Sequence, residues 1–232
     1  PFVEWGILYS IKNQGLRRYP SLPWRNNLAR LMETELYRGT KVAIHIQGAV
    51  LRSLIWGESD PLQEVGDLLE RAGRVQLNFH GDEILPDAVE YLARVIQDGG
   101  DGLTKKQIIV QVSEDSSRGF VRKMLEAVPV DGRVVPLFDA SHGGGVLPGL
   151  WPQSEFYKPG ERLVLHGYAG GLGPNNVESE LAKISLAASP ADFWIDMETK
   201  VRSDNDSMFD LGKVRQVLEI TKPFIQTEAA GE

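Results

Sequence analysis

Cysteine is absent from this chain of 232 residues. Without a thiol it holds no disulfide scaffold, no Cys-ligated zinc or iron–sulfur centre and no thiolate nucleophile. An excess of positive charge is missing too. The 25 Lys+Arg stand against 32 Asp+Glu, a formal net charge of -7, the wrong balance for a protein whose main work is to coat phosphate backbones. No apolar run reaches the roughly 18 residues that span a bilayer. The opening residues, PFVEWGILYS, show neither the basic stretch nor the small-residue cleavage site of a signal peptide. Neither nucleic acid nor membrane is therefore expected as a partner, and the cytoplasm is the expected compartment. The four histidines are scattered, and no metal signature, P-loop or Ser-His-Asp spacing is legible, so neither metal nor cofactor is expected.

What is present is a repeating texture. Short runs rich in Val, Ile and Leu recur at Trp5–Tyr9, Val42–Ile46, Val75–Phe79, Ile108–Val112, Val134–Phe138, Leu163–Leu165 and Phe193–Met197, each of buried-strand length. Between them lie amphipathic stretches of helical length: Pro23–Tyr37, Leu62–Ala72, Pro86–Gln97, Ser117–Ala127, Asn175–Leu186 and Asp210–Thr221. In Asp87–Gln97, for instance, Val89, Leu92, Val95 and Ile96 share one helical face, and the Gly99–Gly100 pair follows as a stop.

Strand, helix, strand in this order predicts parallel strands joined by crossover helices. A doubly wound sheet would carry a glycine fingerprint after its first strand, and SIKNQG is none. The expectation is an α/β single-domain (β/α)8 TIM barrel over residues 1–232, with a frayed tail at 227–232. Only seven strands are countable, so the first is expected upstream of Pro1. A barrel short of one strand exposes two edges, which a further segment or a partner must cover. Monomer and homodimer both stay open.

Barrel active sites sit on the loops after strand C-termini. The clearest such loop is Tyr168–Val177, YAGGLGPNNV. Gly170 and Gly171 permit close backbone approach, and Asn176 leads into a helix whose free N–H groups favour an anion. The following loop, Glu198–Ser203, adds Thr199 and Lys200 for the same anion, and a phosphate is the expected ligand. The loop FDASHGGGVLPGLW places Asp139 at a strand exit, where apolar surroundings would suit it as a general acid. Gly144 and Gly145 would let that loop fold over substrate. His80, in VQLNFHGDE, is a candidate substrate contact or satisfies loop backbone. Arg18, in the RRYP loop, is a candidate clamp for a carboxylate. His45 and His166 are expected to be packed or to line the barrel rather than to ligate a metal.

Taken together, these segments resemble phosphoribosylanthranilate isomerase. YAGGLGPNNV is similar to that family's AGGL-x-P-x-NV phosphate loop, VQLNFHGDE to its QLHG-D-E segment with Asn78 and Phe79 inserted before the His, and FDASHGGG…W to its Asp-then-GG loop. WGILYS…RRYPS resembles its second strand with the S-x-R-Y-V segment behind it, and FWIDMETKVRS stands where it has V-D-x-S-S-G-V-E. The likeness runs in order along nearly the whole chain, and the first match is the most specific.

The resemblance implies a barrel that performs an Amadori rearrangement of an aminoaldose phosphate to an aminoketose. It implies Asp139 as the acid, Arg18 at the anthranilate carboxylate, and Gly170, Gly171 and the Thr199 region at the phosphate. The family's base is a Cys on its first strand, which would lie before Pro1. His80 is the substitute within the chain. Lys200 and Arg202 replace a family Gly and Glu, and this departure motivates a second reading: a non-catalytic paralogue that binds a phosphorylated metabolite as a sensor or partner subunit. A related barrel aldolase is a third, disfavoured because no strand core carries a Schiff-base Lys.

Overall fold

The computed structural model describes residues 3–56, 62–79, 88–98, 102–103, 105–113, 115–128, 132–139, 141, 144–158 and 162–225. Its main sheet contains seven parallel strands. They are β1 (Glu4–Tyr9), β2 (Lys41–Gln47), β3 (Arg74–Asn78), β4 (Gln107–Val112), β5 (Val134–Phe138), β8 (His166–Ala169) and β9 (Phe193–Asp196). They lie side by side in chain order, β1-β2-β3-β4-β5-β8-β9. A two-stranded hairpin, β6 (Tyr157–Lys158) and β7 (Arg162–Leu163), interrupts the series. Helices α1 (Leu22–Glu33), α2 (Gly48–Trp56), α3 (Asp67–Arg71), α4 (Ala88–Asp98), α5 (Asp115–Ala127), α6 (Val177–Ala188) and α7 (Leu211–Thr221) fall between and after the strands.

The strands read as continuous apolar runs because both faces are largely covered. Ile7 and Tyr9, Val42, Ile44 and Ile46, Val75 and Leu77, and Ile108, Val110 and Val112 share one core cluster with helical residues such as Leu51, Leu92 and Val121. The alternate residues face the other way. Gln76, Asn78, Gln111 and Asp139 are buried polar groups, and all four line one cavity.

The sheet curls strongly. On its concave face the Trp194 ring of β9 lies 4.9 Å from the Arg74 guanidinium of β3, and Arg74 pairs with Glu4 of β1. Among the described residues the curl does not close by strand pairing, since there β1 pairs with β2 alone and β9 with β8 alone.

Three elements depart from the sequence reading. Leu163–Leu165 is not a sheet strand. Leu163 pairs with Tyr157 in the hairpin, Leu165 is exposed, and the sheet strand begins one residue later at His166. Small inward residues permit this strand: the Trp194 indole packs so closely on Gly167 that a Cβ there would lie 2.3 Å from it. The helix α2, GAVLRSLIW, escapes notice because it lacks a polar stripe and a marked cap. It buries Val50, Leu51, Leu54 and Ile55. The stretch Leu62–Ala72 also departs from one helix: a 3-10 turn at Gln63–Val65 is broken at Gly66, φ 79°, before the short α3. Asp210 caps α7 by accepting from the N–H groups of Gly212 and Lys213.

Candidate functional site

Three loops meet at the C-terminal ends of the strands. Their contacts are so close that glycine is required at each junction. A Cβ on Gly145 would lie 2.8 Å from the Thr199 Cβ, one on Gly171 2.6 Å from the Leu147 nitrogen, and one on Gly173 2.5 Å from the Lys200 Cβ. The loop after β5, the glycine loop after β8 and the turn after β9 thus form one rim. Gly170 and Gly171 take φ of 118° and 68°, a region where a side chain brings strain. A cavity of about 300 Å³ opens inside this rim, lined among others by Asp139, Gly145, Gly171, Asp196, Thr199 and Lys200.

The glycine loop lines the cavity through Ala169, Gly170, Gly171 and Leu172. Gly171 and Leu172 are buried, and among the described residues their N–H groups have no protein acceptor. Asn176 shapes this cradle from behind. Its Oδ1 accepts from the Gly173 N–H at 2.9 Å and its Nδ2 donates to the Gly171 carbonyl at 3.0 Å. Thr199 and Lys200 reach the cavity, and Lys200 is exposed, with no ion pair among the described residues. Gly144 serves the loop turn, donating to the Ser141 carbonyl at 2.8 Å.

Two carboxylates face this cradle. Asp139 is 6% exposed. Its Oδ2 accepts from Gln111 Nε2 at 2.9 Å, and its Oδ1 accepts from the Ser141 N–H at 3.1 Å and the Ser141 hydroxyl at 2.7 Å. The expected apolar surroundings are therefore replaced by hydrogen-bond donors. The second carboxylate, Asp196, escapes the sequence reading. Burial, with the Asp139 charge adding to it, pushes Asp196 up from 3.8 to about 6. Its legible signal is alternation, since Trp194, Asp196 and Glu198 fall on every second residue and share the inward face.

A carboxyl whose folded-state pKa is raised favours the fold most when protonated. Its contribution is fully present below about pH 4 and is lost as pH rises through about 6. Asp196→Asn is therefore expected to stabilise the chain at pH 8 by about 1–2 kcal/mol, a rise of a few degrees in Tm, with the gain vanishing below about pH 4. Thermal melts at the two pH values check this.

Arg18 reaches the cavity, but its guanidinium is engaged. It donates to Glu198 Oε1 at 3.0 Å and to Asp206 Oδ2 at 3.2 Å. Burial works against the cation, and Glu198 and Asp206 more than offset it, so its pKa is raised. Arg202 extends the network to Asp206 and to the Arg17 carbonyl. The expected carboxylate clamp is thus already a staple between the loops after β1 and β9.

The loop after β5 is anchored at its far end by Trp151, whose indole N–H donates to Glu180 Oε2 at 2.8 Å. Lys183, with Trp151 adding to it, holds the Glu180 carboxyl below its usual range. Trp151→Phe leaves that buried oxygen without its donor. The expected cost is about 1–3 kcal/mol, read as a lower urea midpoint.

His166 is buried and His45, half-buried, lines the cavity, the two alternatives the sequence leaves open. Burial lowers both to about 4, so both are neutral at pH 7. His166 stacks against Phe138 and Phe156. His80 and the tail at 227–232 lie outside the described residues. Among the described residues no group of three His, Asp or Glu side chains is placed to hold a metal ion, and no helix is long and apolar enough to cross a membrane. No protein-family model, curated protein or solved structure matches the chain.

Proposed function

We propose that the chain is of the (β/α)8 type and that it binds a phosphorylated sugar at this mouth and isomerises it, as phosphoribosylanthranilate isomerase does. The observation that supports this reading best is the shared cavity, which sets Gly171, Leu172, Thr199 and Lys200 opposite Asp139 and Asp196. Buried N–H groups and an ammonium suit a phosphate dianion. Two carboxyls on one cavity, Asp196 among them raised to about 6, suit acid–base work.

In the proposed reaction the protonated carboxyl gives its proton to the ring oxygen of the aminoaldose. The C1–O bond breaks, and the nitrogen lone pair forms a C=N bond. The ionised carboxyl then takes the proton from C2, giving an enolamine that tautomerises to the aminoketose. No atom is gained or lost overall. The resemblance assigns the donor's part to Asp139. The raised pKa gives Asp196 the means to share it.

The test is turnover of phosphoribosylanthranilate, followed by loss of anthranilate-type fluorescence. Turnover that needs both carboxyls supports the reading. Phosphate binding without turnover supports the alternative, a non-catalytic binder of a phosphorylated metabolite. The engaged Arg18 is the observation that favours this alternative.

A further inference from the structure

The wall of the mouth across from the glycine loop has a chemistry of its own. β3 stands across the sheet interior from β9, where the Arg74 guanidinium meets the Trp194 ring. The inward residues in the C-terminal halves of β2, β3 and β4 therefore face the loops after β8 and β9. The side chains there are amides. Gln47 ends β2, Gln76 and Asn78 alternate along β3, and Gln111 lies on β4. All four line the cavity, and so does Tyr19. Gln76 Nε2 donates to Asn78 Oδ1 at 2.8 Å, which leaves the Gln76 oxygen and the Asn78 amide N–H groups for a ligand. Gln47 Nε2 donates to the Tyr19 hydroxyl, which leaves that hydroxyl proton and the Gln47 oxygen. Gln111 Nε2 is held by Asp139 at 2.9 Å, and the Gln111 Oε1 is buried without a donor among the described residues. The wall thus offers mixed donors and acceptors and no charge.

The ionised groups around the cavity oppose a second anion. Asp139, Asp196 and Glu198 line it. Arg18 pairs with Glu198 and with Asp206, each at 3.0 Å, and Lys200 packs on Gly173 of the glycine loop. A ligand carboxylate against the amide wall would have to draw Arg18 away from both partners. It is acceptor-only when ionised and brings no proton for the amide oxygens. A carboxamide brings two N–H donors and an acceptor, the set that side-chain amides pair with reciprocally. A site built on such bonds rejects an analogue that cannot complete them.

We propose that this amide wall is a specificity subsite, which takes the amine-derived end of the phosphorylated substrate and selects an uncharged, carboxamide-bearing group there over a carboxylate. The inference rests on the reading of the mouth as a phosphorylated-sugar site and goes beyond it by naming the class of the substrate's other end. Phosphoribosylanthranilate is then a weak member of the substrate class, accepted less well than its amide counterpart.

The test uses two probes that differ only in that group. Ribose 5-phosphate is condensed with anthranilate or with 2-aminobenzamide, and each adduct is reduced with borohydride. The resulting amines keep phosphate and aglycone and cannot isomerise. Calorimetric titration of the whole chain at pH 7 is expected to show the benzamide probe binding at least about tenfold tighter than the anthranilate probe. Asn78→Leu removes an amide from the wall and should bring that ratio below about threefold. Gln47→Leu, at a half-buried position, carries the same expectation and serves if Asn78→Leu does not fold. A ratio taken on one sample is unmoved by a general loss of folded protein, so a merely structural role would not change it. Equal affinities, tighter binding of the anthranilate probe, binding of neither, or a ratio that neither variant moves would overturn the inference. Turnover of the unreduced adducts reports separately on the isomerase reading. The tenfold preference without turnover supports the subsite and removes the isomerase.

Discussion

Asp139→Asn is expected to lower turnover of phosphoribosylanthranilate by about 10²–10⁴-fold while leaving the affinity for inorganic phosphate within about threefold. The substitution keeps the shape of a buried side chain and removes its ability to exchange a proton. The Asn Oδ1 can keep the two Ser141 donors, and its Nδ2 is met by turning the Gln111 amide, whose Oε1 has no other partner among the described residues. In the proposed reading phosphate affinity belongs to the glycine loop and should be little changed. Steady-state kinetics and a phosphate titration separate the two effects. Undiminished turnover would remove Asp139 from the mechanism.

The second large effect is expected at Gly171. Its φ of 68° is strained for any side chain. A Cβ would meet the Leu147 nitrogen at 2.6 Å and the Val146 carbonyl carbon at 2.9 Å. These are backbone atoms, which cannot rotate aside. Gly171→Ala should therefore push the glycine loop and the loop after β5 apart. The expected results are a loss of about 1–3 kcal/mol of stability and at least a tenfold fall in phosphate affinity, about 1.4 kcal/mol or more. Gly149→Ala is the matched control. It lies in the same loop after β5, with nothing within 4 Å of its Cβ position, and it should leave both quantities unchanged. Urea melts and phosphate titrations of the two variants decide the matter.

Much of the sheet was legible because a doubly covered parallel strand announces itself as an unbroken apolar run. Ile108–Val112 and Val134–Phe138 are such runs, and both are strands. The same rule misplaced β8. Its inward positions, Gly167 and Ala169, had to be small for the Trp194 indole to pack there, so the strand is less apolar than the LVL beside it. The glycine loop was legible because its geometry is local. The second carboxylate was not, since Asp196 looks like an interruption in an apolar run until the inward face is assigned. Nor could the Arg18–Asp206 staple be read. Those residues stand 188 positions apart, and only the curl of the sheet joins them. The donors around Asp139 pose the same problem, because Gln111 reaches it across strand pairing.

The most direct measurement is a titration of the chain with inorganic phosphate, followed by the backbone amide resonances of Gly171, Leu172 and Lys200. Those three should move together with a single dissociation constant, and Gly171→Ala should abolish the movement. If they stay still while amides around Arg17 or Arg202 shift instead, the anion site lies elsewhere and the cavity is not a phosphate cradle.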